Sequence, residues 1–139
     1  MRGRAGRVFC DTSFLFACLD PTDAHHEQAE GLTDRALVGG WVLCATWDVV
    51  SETVTLLRMR VGFPAALAFL DAVKPTLRVV EYGAALRAEA EQVFRRYGRV
   101  RRLSFCDAIS FVVVTTLLDR APCLAFDDDF RALGLTVIN

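Results

Sequence analysis

Short apolar runs alternate along this sequence with longer segments whose apolar residues recur at helical spacing, and this alternation constrains the fold more than any other feature. A short apolar run bounded by Gly, Pro or an acid is typical of a buried strand. Helical spacing of i, i+4, i+7 and i+11 is seen at Val50, Val54, Leu57 and Val61. Strands that alternate with helices predict an α/β fold of three layers, with a mainly parallel central sheet between two layers of helices.

The predicted elements are bounded by local signals. Asp23, Thr46 and Ser104 can each cap a helix, and Ser104 has an acid three residues later, as in a capping box. Strands are predicted at residues 8–10, 41–44, 77–80, 122–126 and 135–138. Helices are predicted at residues 13–19, 23–38, 47–60, 64–73, 84–97 and 105–118.

Length and composition place the chain among globular proteins. With 139 residues, 53% of them hydrophobic and 24% charged, disorder is excluded and one domain over residues 1–139 is expected. Residues 1–6 are predicted to form a flexible basic tail. The start resembles a secretory signal, but Asp11 interrupts its apolar part, and the longest apolar stretch, residues 108–118, is too short to span a membrane. We therefore expect a cytoplasmic protein.

Charge and cysteine content exclude several classes of function. The net charge of -1 gives no global attraction to nucleic acid or to an anionic membrane, so a polyanion would have to be bound locally. The five cysteines are odd in number and too widely spaced for a zinc knuckle or a closed disulfide framework. Reduced and mostly buried thiols are expected.

Four acids occupy positions where ligand sites form in parallel sheets. Asp11 and Asp127 follow predicted strands, and Asp107 begins a buried helix. Glu52 lies in the second turn of the helix that follows the strand at residues 41–44. Because ligands bind outside the carboxyl ends of the strands, these acids are expected to converge on one edge of the sheet.

Carboxylates gathered at one edge would need a cation. Each pair would repel by roughly 3 kcal/mol at ~5 Å with an effective dielectric constant of ~20. Ligands that are all oxygen favour Mg²⁺ or Mn²⁺ over zinc. Such ions activate water and stabilise developing charge in phosphodiester hydrolysis, which is the chemistry that this pattern favours.

Each acid also has a purely structural interpretation. Asp11 could be a turn or cap residue, and Glu52 could be an ordinary solvated side chain on a helix. Asp107 could be no more than a first-turn acid that complements the helix dipole. Asp127 is followed by two further acids, which is harder to explain structurally, and the four together favour a shared site.

The sequence resembles the PIN-domain nucleases, and more narrowly the VapC-like toxin ribonucleases of bacterial toxin–antitoxin pairs. The resemblance covers nearly the whole chain and depends on residues 8–13, 49–52, 103–108 and 124–130. In the first of these segments Ser13 follows the acid by two residues, and its hydroxyl would orient Asp11. The sequence departs from the family at Ala125, where a Thr or Ser is usual, which predicts somewhat weaker metal affinity.

The resemblance implies a PIN-like α/β/α fold and an endoribonuclease that hydrolyses RNA with Mg²⁺ or Mn²⁺. Asp128 adds a further charge beside Asp127 and leaves Asp129 as an alternative fourth ligand, with Asp127 ranked first. A homodimer and a small antitoxin that inserts near the acidic pocket are also implied. The implied catalytic and metal-binding residues are Asp11, Glu52, Asp107 and Asp127.

A local basic cluster lies just before Asp107. It could contact the RNA backbone, or it could be a solvated helix end whose charges complement the helix dipole. The cluster consists of Arg95, Arg96, Arg99, Arg101 and Arg102.

Histidines and aromatic residues are assigned structural roles. Neither His25 nor His26 has a second metal ligand at helical spacing, so both are expected to be surface residues of a first helical turn. Trp41 and Trp47 are expected to pack in the core. The aromatic residues of the first helix, represented by Phe14, are expected to be buried within the monomer.

Two other classes of protein compete with this interpretation. A haloacid-dehalogenase-like phosphatase would need a second Asp two residues after the first, where Ser13 stands. A PIN-like scaffold that binds RNA or protein without cutting is the stronger alternative, since a fold can persist after its chemistry is lost. Such a scaffold is expected to lack one of the acids, and here none is missing.

Overall fold

The computed structural model describes residues 6–139, which form an α/β fold around one parallel sheet. The strands of this part of the chain are β1 (Arg7–Cys10), β2 (Val42–Ala45), β3 (Arg78–Val79), β4 (Cys123–Leu124) and β5 (Val137–Ile138). Their order is β3-β2-β1-β4-β5, and every pair is parallel. The predicted fold is therefore confirmed. The tail predicted at residues 1–6 lies outside the described residues except for Gly6.

Helices connect the strands and cover the sheet on both faces. They are α1 (Thr12–Leu19), α2 (His26–Gly39), α3 (Trp47–Arg60), α4 (Phe63–Ala68), α5 (Ala84–Tyr97), α6 (Phe105–Leu117) and α7 (Asp129–Ala132). No helix between residues 6 and 139 is both long and apolar enough to cross a membrane.

The central strand β1 fixes the core. Phe9 is fully buried and pairs with Cys44 of β2 on one side and with Cys123 of β4 on the other. Its ring lies 6.3 Å from that of Phe130, at the end of the chain. Burial of a Phe side chain stabilises a fold by about 2–3 kcal/mol, so these contacts hold the first and last parts of the chain together.

The strongest local signals are confirmed. The Thr46 hydroxyl accepts a hydrogen bond of 3.1 Å from the Val49 N–H and caps α3, which has the predicted bounds. Ser104 and Asp107 form the predicted capping box of α6. These signals succeed because a cap is formed by neighbours in the chain.

The prediction of one helix over residues 64–73 is wrong in part. α4 is followed by a π-helical turn at Phe69–Val73, in which the Lys74 N–H donates to the Phe69 carbonyl, and by a 3-10 turn at Lys74–Thr76. Pro75 has no N–H, so it cannot donate the hydrogen bond to the Asp71 carbonyl that an α-helix would need there, and the α-helical series of hydrogen bonds ends.

One helix begins later than predicted, and one short helix was missed. The second helix begins at His26 rather than after Asp23, because the Asp23 carboxylate accepts from the His25 N–H and closes a separate turn. The short helix α7 was not predicted.

The prediction that both tryptophans pack in the core is wrong for Trp47, whose side chain is 59% exposed. Val49 and Val50 occupy the buried face of α3, so Trp47 at its first position faces solvent, where the Lys74 ammonium lies 5.8 Å from its ring centre. Burial of the first helix is confirmed, since Phe14 is 2% exposed. The cysteines are free, and three of the five are buried, as predicted.

Candidate functional site

A cavity of about 430 Å³ lies beside the carboxyl ends of the strands. Its walls come from the segments after β1, β2 and β4 and from the start of α6. The four predicted acids all line it, and they are Asp11, Glu52, Asp107 and Asp127. The structure therefore brings the predicted residues together in one space.

Asp11 is the N-cap of α1 and is only 3% exposed. Its Oδ2 accepts hydrogen bonds from the Ser13 N–H at 3.2 Å and from the Ser13 hydroxyl at 2.6 Å. The Asp11 N–H donates to the Leu124 carbonyl of β4 at 3.0 Å. The cap and the strand pairing together fix this carboxylate, as expected for Ser13 from the sequence.

Asp107 serves as a cap and also lines the cavity. Its backbone N–H donates to the Ser104 hydroxyl at 3.0 Å, and its Oδ2 accepts from the Ser104 N–H at 3.2 Å. The structural interpretation of this acid is thus correct, but it does not exclude a function. Both bonds leave Oδ1 available to a ligand.

Asp127 and Asp129 have different surroundings. Asp127 lines the cavity, and its Oδ1 accepts a hydrogen bond of 3.3 Å from the Asp129 N–H. Asp129 does not line the cavity, and its carboxylate lies 3.6 Å from the Arg101 guanidinium. This geometry favours Asp127 as the ligand.

The pKa values of the central acids are raised because the carboxyls are crowded and buried. Burial, followed by the charge of Asp127, raises the pKa of Asp11 to about 8, although the Ser13 hydroxyl opposes the shift. Burial raises the pKa of Asp107 to about 6, and the hydrogen bond from the Ser104 N–H opposes this rise. The pKa of Asp127 is raised by burial and by the charge of Asp129, and the hydrogen bond from the Asp129 N–H partly offsets this rise. Negative charge is therefore costly here unless a cation is present.

The charge of Glu52 acts on the neighbouring thiol of Cys106. The pKa of Cys106 is raised well above its ordinary value, first by burial and then by the charge of Glu52, with smaller effects of Asp107 and Asp11. Glu52 is half-buried on α3, so it is not the fully solvated helix residue that its structural interpretation required.

These residues fit a hard divalent cation. Four carboxylates could supply oxygen ligands, and Thr12 adds a buried hydroxyl without a hydrogen-bond partner among the described residues. Within residues 6–139, however, no three acidic, histidine or cysteine side chains are grouped closely enough to hold a metal ion as they stand. Mg²⁺ usually retains several waters and needs few protein ligands, so an open site of this kind suits it.

The structure adds residues that sequence reasoning missed. Arg60 lines the cavity, and with Glu52 and Leu56 it forms a row at i, i+4 and i+8 on α3, a spacing that could have identified it. His25 and Phe126 also line the cavity, and no local pattern connects them. None of the five arginines of the predicted basic cluster lines it.

Comparison with known proteins assigns the family. Residues 8–135 match the PIN domain family, and the chain belongs to it. It is similar to the structure of Mycobacterium tuberculosis VapC20, a toxin that cleaves the sarcin–ricin loop. The two share 32% sequence identity with a TM-score of 0.78, over 93% of this chain and 96% of VapC20. The resemblance inferred from the sequence is confirmed.

Two further structures share the fold at low identity. VapBC2 from Rickettsia felis, bound to a DNA fragment from its promoter, has 10% identity and a TM-score of 0.68, over 96% of this chain and 98% of that one. FitAcB from Neisseria gonorrhoeae has 14% identity and a TM-score of 0.66, over 95% of this chain and 96% of that one. Comparison with curated protein sequences found no match.

Proposed function

We propose that this protein is a metal-dependent endoribonuclease that hydrolyses RNA phosphodiester bonds with Mg²⁺ or Mn²⁺. The observation that carries the proposal is the cavity in which Asp11, Glu52, Asp107 and Asp127 meet. Membership of the PIN domain family supports the same reaction class.

The residues of the cavity have separable roles in this proposal. Asp11, Glu52, Asp107 and Asp127 hold the ion, which when bound activates water and stabilises charge on the phosphate. Ser13 keeps Asp11 in one orientation, and the capping box does the same for Asp107.

Binding of the substrate phosphate is assigned to Arg60. Its guanidinium lies 5.9 Å from the ring centre of Phe16, which restrains the long side chain beside the acids. The apolar side chains of Phe16 and Leu56 exclude water from part of the cavity wall. The cluster at Arg95, Arg96, Arg99 and Arg102, whose side chains are exposed, is proposed to contact the RNA backbone farther from the cavity.

The biological role proposed is that of a toxin neutralised by an antitoxin. The similarity to VapC20, a toxin that cleaves the sarcin–ricin loop, at 32% identity supports RNA as the substrate. An antitoxin as the partner comes from the family resemblance of the sequence. A homodimer and a cytoplasmic location complete the proposal, and both come from the family resemblance and the sequence rather than from a contact in the structure.

A PIN scaffold that binds RNA or protein without cutting is the alternative. It would be favoured by loss of an acid, but all four acids line the cavity. The two proposals differ in whether RNA is cleaved when metal is supplied.

The test uses purified protein and a labelled, structured RNA of mixed sequence in Mn²⁺, with EDTA and the Asp107→Asn variant as controls. Asn can keep the capping box, so this variant should fold and lose cleavage. Asp71→Asn is the matched control, since Asp71 is an exposed acid outside the cavity. Cleavage that needs metal and Asp107 supports the enzyme, whereas full activity of Asp107→Asn contradicts the proposed site. Absence of both cleavage and Mn²⁺ binding favours the scaffold.

A further inference from the structure

The rings of His25 and Phe126 stack at one wall of the acidic cavity. Their centroids are 4.5 Å apart and their planes differ by 4°. Both residues line the cavity, and Phe126 directly precedes Asp127. An aromatic plane therefore lies one residue from a proposed metal ligand.

Phe126 is held in place by contacts with Phe14 and Ser13 of α1. The ring of Phe14, which is buried in α1, lies 6.4 Å from that of Phe126 on a tilted plane. The Phe126 N–H donates to the Ser13 hydroxyl at 2.9 Å, which ties the backbone of Phe126 to the group that orients Asp11. The stack is thus anchored to the core and to the centre of the site.

The His25 side chain is exposed and held in place. Its backbone N–H donates to Asp23 at 2.8 Å, and its Nδ1 lies 3.0 Å from Oε1 of Gln28. His25 occupies the N-cap position of α2, yet its ring makes no capping bond to the helix backbone and instead contacts the Gln28 side chain.

We propose that His25, backed by Phe126, is a stacking platform for one unpaired nucleobase next to the phosphate that is cut. This proposal rests on the proposed function and specifies its substrate as a single-stranded or flipped-out segment of RNA. Bases in single strands stack on aromatic side chains, whereas bases within a duplex are already stacked and unavailable. Arg60 in the same cavity supplies a positive charge for the neighbouring phosphate.

The chemistry of the ring distinguishes this role from an acid–base or metal-binding role. Stacking needs a flat aromatic surface and no titratable nitrogen, so Phe should replace His25 and Ala should not. If His25 instead acted as an acid, a base or a metal ligand, both variants would lose that function equally.

Binding can be measured without cleavage by placing each substitution in the Asp107→Asn background. The probes are short single-stranded RNAs of mixed sequence, each with one 2-aminopurine whose fluorescence is quenched when it stacks. The Asp107→Asn parent should bind and quench. His25→Ala should weaken binding roughly tenfold or more and remove quenching, while His25→Phe should retain both. In the duplex form of the same RNAs the 2-aminopurine is already stacked, so adding the protein should cause no further quenching.

His26→Ala is the matched control. The His26 ring lies beside the Ala17 carbonyl, at 2.6 Å, and outside the cavity, so this variant should bind and quench like the parent if it is folded. Unchanged binding by His25→Ala, equal losses in His25→Ala and His25→Phe, or no quenching by the parent would each overturn the platform. Failure of the proposed function is read separately, as absence of metal-dependent cleavage of the same RNAs by the wild-type protein.

Discussion

The Ser13 hydroxyl lies 2.6 Å from Oδ2 of Asp11, to which it donates a hydrogen bond. The same hydroxyl accepts from the Phe126 N–H at 2.9 Å, so one side chain connects the ends of β1 and β4. This bond favours the ionised form of Asp11 against the burial that raises its pKa. Ser13 thus helps to keep Asp11 ionised, as its proposed role as a metal ligand requires.

Ser13→Ala is expected to weaken Mn²⁺ binding about tenfold and to lower cleavage accordingly, because the carboxylate loses a charge-assisted bond and its fixed orientation. Calorimetric titration with Mn²⁺ measures the affinity. Ser51→Ala is the control, since Ser51 is exposed and adjacent to Glu52 in sequence. Equal Mn²⁺ affinity in wild type and Ser13→Ala would contradict this role.

The stability of the metal-free protein is expected to fall as pH rises. The pKa of Asp11 is raised from 3.8 to about 8, so between these values the unfolded chain has released a proton that the folded protein still holds. Each pH unit in this window therefore costs up to about 1.4 kcal/mol, and the loss is complete above about pH 8. Asp107 adds a loss of the same sign between 3.8 and about 6.

Urea unfolding in EDTA at about pH 5 and about pH 8 measures this dependence. Asp11→Asn should reduce the fall, because Asn cannot ionise but can still cap α1. Saturating Mn²⁺ should restore stability at the higher pH, since the ion binds the ionised carboxylates. A wild-type protein that is equally stable at both pH values in EDTA would show that Asp11 is not crowded as described.

Asp127→Asn should reduce Mn²⁺ affinity far more than Asp129→Asn. Asp127 lines the cavity, whereas Asp129 lies outside it and pairs with Arg101 at 3.6 Å. Loss of that partly exposed ion pair should cost less than about 1 kcal/mol of stability. Calorimetric titration of both variants with Mn²⁺ measures the two affinities. A larger loss of affinity in Asp129→Asn would make Asp129 the fourth ligand in place of Asp127.

Arg60→Gln is expected to weaken RNA binding and to lower the slope of log affinity against log salt concentration by about 0.7, as for one phosphate contact on a single strand. The comparison variant is Arg58→Gln, in the same helix but outside the cavity and beside the Phe63 ring. Fluorescence anisotropy at several salt concentrations measures the slope. Identical slopes for the two variants would remove Arg60 from the phosphate site.

Much of the fold could be predicted because its signals are local. The Thr46 cap, the Ser104 capping box and the bounds of α5 depend on residues a few positions apart, and the structure confirms them. The acids at the ends of β1 and β4 were also identifiable, because an acid after an apolar strand is visible in the sequence alone.

Other features depend on residues far apart in the chain. Trp47 follows a strand, a position typical of a core residue, yet the face of α3 that packs inward is set by the helices in contact with it, such as α1, and leaves Trp47 exposed. His25 meets Phe126 only because the loop before α2 folds over the end of β4. Periodicity cannot predict such contacts, since it describes which face of an element is apolar and not which element covers it.

The sequence by itself determined the alternation of strands and helices and the presence of acids at strand ends, because these follow from side-chain periodicity and capping. Only the tertiary structure decided that β4 pairs with β1, which brings Asp127 beside Asp11 across more than a hundred residues of chain. Strand order depends on how whole faces pack and on which pairing buries residues such as Phe9. That choice is made by the folded molecule and not by any short segment of it.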